Sequence, residues 1–181
     1  MGCNSSDQRL KKQQTLNISL KRINDSIKNS NYMININGIN QGNLFDVCEL
    51  TSNSDGVATV LEDYICCNAT SIAEASYFPN FHPKSLYYND TLIGFFMYKT
   101  DINNLKEVML CRYMLDYKFI GRGLGKKSFN AILNFFSSEG IKSVTLGLDE
   151  KNIVAKNLYQ SFGFEFTGKI VDTENIYHLV L

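Results

Sequence analysis

The stretch Ile120-Gly121-Arg122-Gly123-Leu124-Gly125-Lys126 follows an apolar run and opens an amphipathic segment. Glycines at alternate positions, interleaved with basic residues, predict a turn of nearly bare backbone amides at a helix N-terminus. Such a turn suits a pyrophosphate, because its N–H groups and the helix dipole both favour negative charge. Taken alone, the run reads equally well as a tight strand-to-helix turn, so its neighbours matter. Downstream, Phe129, Ile132, Leu133 and Phe136 share one face of a helix from about Leu124 to Ser138, which Gly140 ends. Upstream, Glu107–Leu115 reads as a long strand.

Working outward, Tyr32–Ile39 alternates well enough for a first strand, and Asn43–Leu50 for a short helix before a turn at Thr51–Gly56. Val57–Tyr77 is expected to be helical in two pieces, with Asn68 or Thr70 capping the second. Pro79 and Pro83 bracket an expected loop containing Phe81. Ser85–Tyr88 and Thr91–Tyr98 flank Asn89-Asp90, a hairpin turn. Ser143–Leu148 reads as a buried strand, Asn152–Phe162 as a helix stopped by Gly163, and Glu165–Lys169 and Ile176–Leu181 as closing strands. The order β-α-α-β-β-β-α-β-α-β-β predicts an α/β chain with a mixed sheet, since hairpins and helical crossovers both occur.

Composition narrows the function classes. The chain has 181 residues and 18 basic against 18 acidic side chains. Residues 1–30 hold Arg9, Lys11, Lys12, Lys21, Arg22 and Lys28 against Asp7 and Asp25. They read as a basic, flexible polar tail on a mildly acidic domain spanning residues 31–181. Nucleic-acid binding by the domain is therefore not expected, whereas the tail suits an anionic surface. No apolar run is long enough to span a bilayer, and the polar start reads as lacking a cleavable signal. Five cysteines without a C-x-x-C pair suit a reducing cytoplasm. The two histidines, His82 and His178, lack ligand spacing, so no metal is expected.

Beyond the glycine loop comes Asn152-x-x-Ala155-x-x-Leu158-Tyr159-x-x-x-Gly163-Phe164. The two motifs together resemble the GNAT superfamily of acyl-CoA N-acyltransferases over roughly Tyr32 to Leu181. The segments Asn68-Ala-Thr-Ser-Ile-Ala-Glu-Ala75, Pro79-Asn-Phe-His-Pro-Lys84, Leu92-Ile-Gly-Phe-Phe-Met-Tyr98 and Arg112-Tyr-Met-Leu-Asp116 are similar to its bacterial-type spermine/spermidine (diamine) acetyltransferase branch. That resemblance implies a splayed central sheet of about six to seven strands with about four helices, acetyl-CoA as co-substrate, a small amine as acceptor, and a homodimer.

It also implies roles. Met114 and Leu115 would meet the pantetheine arm like a neighbouring strand. Arg122, Gly123, Leu124, Gly125 and Lys126 would take the pyrophosphate, with Asn152 and Ala155 beside the cofactor. Where relatives carry Gln ahead of the loop, this register has Phe119 or Ile120, so a side-chain contact to phosphate is lost or passes to Arg122. Tyr159, by itself readable as a core tyrosine, becomes the acid that protonates the departing thiolate. Glu74 ranks first as substrate contact and base, with Glu107 and Asp116 as other bases. Tyr77 and Phe81, with Tyr64 and Tyr88, would line an aromatic cleft for a cation. A covalent route through Cys111 lacks any histidine placed to activate it.

Two other acceptor or function classes stay open at this point: acetylation of protein lysines or N-terminal amines, and a non-catalytic, membrane-tethered acyl-CoA-binding module. The second draws on Met1-Gly2-Cys3-Asn4-Ser5-Ser6, which fits N-myristoylation at Gly2 with palmitoylation at Cys3. In a eukaryotic host that pattern would tether the chain to the cytoplasmic face of a membrane.

Overall fold

Hairpin turns and helix stops divide the chain into the expected alternation of elements. The computed structural model describes residues 33–62 and 64–181, together with Gln14, Asn17, Ile18 and Lys21. In chain order these are β1 (Ile34–Gly38), α1 (Leu44–Cys48), α2 (Asn68–Tyr77), β2 (Phe81–Tyr88), β3 (Thr91–Asp101), β4 (Asn104–Leu115), α3 (Leu124–Ser138), β5 (Ser143–Leu148), α4 (Ile153–Gln160), β6 (Glu165–Val171) and β7 (Glu174–Val180). A single 3₁₀ turn, Tyr117–Phe119, leads from β4 to the glycine loop. Gly2, Cys3, Tyr32 and most of the tail lie outside the described residues.

The strands form one seven-stranded sheet in the order β1-β2-β3-β4-β5-β7-β6. β4 and β5 run parallel, joined by the α3 crossover, while the other neighbours pair antiparallel. Alternation along the strands feeds two cores. On one face Phe96, Tyr98, Leu110, Val144, Leu146 and Leu148 pack under α3 and α4. On the other, Phe95, Met97 and Met114 pack under α1 and α2. Phe129 of α3 organises the first core: it is 0% exposed and meets Tyr113, Tyr159, Phe162 and Phe164 at ring-centroid distances of 5.4, 5.1, 5.1 and 5.9 Å.

Three expectations are corrected. Only Asn68–Tyr77 of the 57–77 stretch is helical. The segment before it is a loop closed by a Leu61–Cys66 bridge. There Glu62 accepts hydrogen bonds from the Thr51 and Ser52 hydroxyls and from Ser52 N, and Asn53 donates to Val57 O. These side-chain bonds offer the backbone a non-helical arrangement. The cap is Cys67, not Asn68 or Thr70, because Asn68 turns inward and donates to Val47 O at 2.9 Å. Pro83 belongs to β2 and not to a loop. It lies beyond the last β1 pairing at Lys84, where one side of β2 is open and a missing N–H is tolerated.

Phe129→Ala removes the ring that four aromatic neighbours share. It should destabilise the fold by about 3–5 kcal/mol, read as a lower urea midpoint with an unchanged denaturant slope.

Candidate active site

The parallel pairing of β4 with β5 covers only Glu107↔Ser143 to Leu110↔Leu146. Both strands continue, β4 to Leu115 and β5 to Leu148, so beyond those rungs their facing edges part. A bulge marks the parting. Met97 pairs with Arg112 and Tyr98 with Leu110, leaving Cys111 as an extra residue that bends β4 away from its neighbour. The result is a wedge-shaped gap within the sheet, whose first unpaired residues are Cys111 and Gly147. Along it, Cys111–Leu115 lacks a strand partner on the β5 side, the arrangement that an extended amide-bearing ligand can complete.

The glycine loop stands at the open end of β4. Gly121 and Gly123 have φ of +75° and +73°, and Gly123 caps α3. A Cβ at Gly121, Gly123 or Gly125 would meet nothing within 4 Å. The turn over the helix N-terminus is thus unobstructed, as close approach of an anion requires. Lys126 is exposed beside them, and Arg122 donates through Nε to Lys118 O at 2.9 Å.

Two polar groups hold this loop in place. Tyr113 of β4, half-buried, donates to Gly125 O at 3.1 Å and accepts from the buried Ser128 hydroxyl at 2.8 Å. The 0% exposed Asp116 accepts from Thr51 N, Lys118 N and the Lys118 ammonium. Asp116 is therefore spent on anchoring the 3₁₀ turn and is not placed as a base.

Tyr159 stands on α4 and is packed into the core under α3. It is 8% exposed, and its ring packs on Phe129 and on Phe164 at 5.8 Å. Burial above all, then the neighbouring Tyr113 and Glu174, pushes its phenol well above the ordinary value. The group is thus a protonated donor at neutral pH. Asn152 starts α4 by accepting from Ala155 N at 3.1 Å, so those two side by side cap the helix. Glu150, in the turn before, accepts from Lys156, from Tyr177 Oη at 2.8 Å and from Asn175 Nδ2 at 2.8 Å, tying α4 to β7. The Lys156 and Tyr177 hydrogen bonds hold its carboxyl below the usual range.

The acceptor-side residues lie on the α1/α2 face. Glu74 forms an ion pair with Arg112 at 3.8 Å, and Arg112 also donates to Cys66 Sγ at 3.2 Å and to Cys111 O at 2.8 Å. Phe81 is half-buried, against Phe78 at 5.8 Å and under the Lys99 ammonium at 5.9 Å, whereas Tyr77 stands 82% exposed at the end of α2. Tyr64 extends to Lys151 O at 3.5 Å, joining the 57–67 loop to the β5–α4 turn, and Tyr88 is in the core. Glu107 lies where β4 and β5 are still paired, away from the gap's opening. Burial raises the Cys111 thiol, which opposes a thiolate nucleophile.

Tyr113, Ser128, Gly147 and Glu174 were missed in the sequence. Gly147, inside the Ser143–Leu148 strand, was the one readable sign, since glycine in a strand marks close approach of another group.

Comparison with known proteins bears on the family and the fold. The family model described as Acetyltransferase (GNAT) family matches residues 54–164. The spermine/spermidine N(1)-acetyltransferase of Bacillus subtilis (strain 168) is 29% identical over 143 residues, 76% of this chain and 91% of that protein. Spermidine N-acetyltransferase from Vibrio cholerae, solved with CoA and spermine, superposes with a TM-score of 0.62 at 14% identity, covering 81% of this chain and 95% of that one. PaiA N-acetyltransferase from Thermoplasma acidophilum, solved with coenzyme A, superposes at 0.59 with 16% identity, covering 82% and 99%. At such identities the two structures speak for the fold alone.

The buried phenols set an alkaline limit. Tyr113 is pushed from 10.0 up to about 12 by burial, against the opposing effect of its Ser128 hydrogen bond. Below the ordinary phenol value both folded and unfolded chains keep the proton, and pH has no effect through this group. Above it, the unfolded chain ionises while the native one does not, so stability falls as pH rises toward about 12. Tyr159, shifted the same way, adds to the loss. Chemical denaturation at a series of alkaline pH values should show the decline, and Tyr113→Phe should reduce its slope.

Proposed function

We propose that this chain, which belongs to the acetyltransferase (GNAT) family, transfers an acetyl group from acetyl-CoA to a primary amine of a polyamine such as spermidine or spermine. The observation that supports the reading is the β4–β5 gap, with the open glycine turn at the end of β4; in this reading the Tyr159 phenol serves the gap from α4. In this reading the backbone of Gly123, Leu124 and Gly125 takes the pyrophosphate, and Arg122 and Lys126 add positive charge. Met114 and Leu115 run beside the pantetheine amides, while Asn152 and Ala155 hold the start of α4 against the same ligand. The polyamine assignment draws on the name of the Bacillus subtilis relative and on the carboxylate and aromatic groups of the α1/α2 face.

The chemistry is direct attack in a ternary complex. A neutral amine nitrogen adds to the thioester carbonyl, the tetrahedral adduct collapses, and the carbon–sulfur bond breaks. Tyr159 gives its proton to the sulfur as the thiolate leaves. Two protons leave an initially protonated nitrogen over the cycle; one ends on sulfur, with Tyr159 restored, and one is released to water. Glu74 serves as a contact for the cationic acceptor, exchanging part of its Arg112 partnership for the ammonium. Tyr77 and Phe81 offer ring faces to the same cation.

Free-thiol release from acetyl-CoA, measured with spermidine, spermine, a lysine peptide and an amino-terminal peptide, tests the reading. Turnover with the polyamines is expected; transfer confined to peptides would replace the acceptor, and ligand binding without transfer to any amine would leave a binding module. Tyr159→Phe should lower kcat about 10²-fold yet keep coenzyme A affinity, since the hydroxyl matters only as the thiolate departs. Affinity is checked by thermal shift, where ligand at a hundredfold its Kd stabilises by about 2.7 kcal/mol. Undiminished turnover in that variant would remove the acid role.

A further inference from the structure

Amine attack needs a group that removes the nitrogen's proton at neutral pH, since an alkylammonium otherwise stays charged. Among the carboxylates weighed above, Glu74 is engaged by Arg112, Asp116 is buried under three donors, and Glu107 sits at the paired end of β4. One further carboxylate stands at the gap itself. Glu174, the first residue of β7, lays its side chain across Gly147, the first residue of β5 beyond the last β4 rung. A Cβ at position 147 would overlap Glu174 Oε2 and lie 3.0 Å from its Cδ. The glycine, unfavourable in a strand interior on its own account, is thereby explained: it lets the carboxylate lie flat on the backbone where the two strands part.

The side of approach is also defined. Leu146 and Leu148 point into the α3/α4 core, so the direction a Gly147 side chain would take, and with it Glu174, belongs to the α1/α2 face. Tyr159 comes from the α3/α4 face. A reacting group in the gap would therefore have a proton donor on one side and a carboxylate on the other.

We propose that Glu174 binds the acceptor ammonium at the apex of the β4–β5 gap and takes its proton before attack, resting on the acetyl-transfer reading above. The nitrogen's proton passes to the Glu174 carboxylate and then to water. The freed lone pair forms the nitrogen–carbon bond. The electron pair of the carbon–sulfur bond leaves with sulfur, which Tyr159 protonates; the second nitrogen proton leaves as the amide forms and restores Tyr159. Glu174 is exposed, as a base that must unload to solvent has to be. The titratable groups around it are Tyr159 on α4, which feels its charge, and Tyr113 on β4, which couples to Tyr159. Beside them, Glu150 is held by Lys156, Tyr177 and Asn175, and Asp172 lies on the adjoining turn.

Glu174→Gln keeps the shape and removes the base. With spermidine at pH 7 its kcat should fall about 10²-fold, while the thermal shift with coenzyme A stays that of the wild type. The deficit should narrow as pH rises toward the amine's own ionisation, because neutral amine then forms without help. Glu174→Asp, retaining the charge on a shorter arm, should recover part of the loss. A loss equal at every pH, an unchanged kcat, or a rise in spermidine KM alone would each overturn the base role. Wild-type inactivity toward every amine would instead remove the acetyl-transfer reading and this inference with it. Wild-type turnover undiminished in Glu174→Gln would remove this inference alone.

Discussion

Everything at the site follows from the early end of the β4–β5 pairing. Four rungs hold the strands together, and then the extra residue at Cys111 turns β4 aside. Had the register run on to Leu115 and beyond Gly147, the sheet would have been continuous and its backbone groups satisfied. The parting leaves a row of polar backbone groups in the middle of a fold without a strand to pair them. A buried peptide edge is costly unless water or a ligand meets it. In the proposed reading a co-substrate with amides of its own meets that need, and the same defect that weakens the sheet creates the crevice.

The walls of that crevice are kept apart by aromatic packing more than by charge. Phe129 stands between Tyr113 on the β4 side and Tyr159, Phe162 and Phe164 on the other. Offset and edge-on rings of this kind contribute on the order of 1 kcal/mol each beyond the area they bury. The same cluster keeps Tyr159 dry, which is why its phenol holds its proton so firmly. Structure and acidity thus share one cause.

Much of this is legible in the amino-acid sequence. Gly121 and Gly123 announce themselves because only glycine enters positive φ without strain. Gly140 and Gly163, with φ of +80° and +90°, follow helices α3 and α4 for the same reason. Alternation and hairpin signals gave the order of elements correctly, and Asn152 capped α4 as its type suggests. What escaped depends on partners far away in sequence. The loop at 57–67 departs from helix because Glu62 finds Thr51 and Ser52. Asn68 abandons a capping role to reach Val47. Glu174 gains its meaning only from Gly147, a residue on another strand, and no local pattern marks it.

The Tyr113–Ser128–Gly125 lock has a mechanical consequence. It fuses β4 to the first turn of α3, while the Glu150 bonds fuse α4 to β7. Each wall of the crevice is therefore braced to the element behind it, and the short ladder between Glu107 and Leu110 is the seam where the two braced halves of the sheet meet.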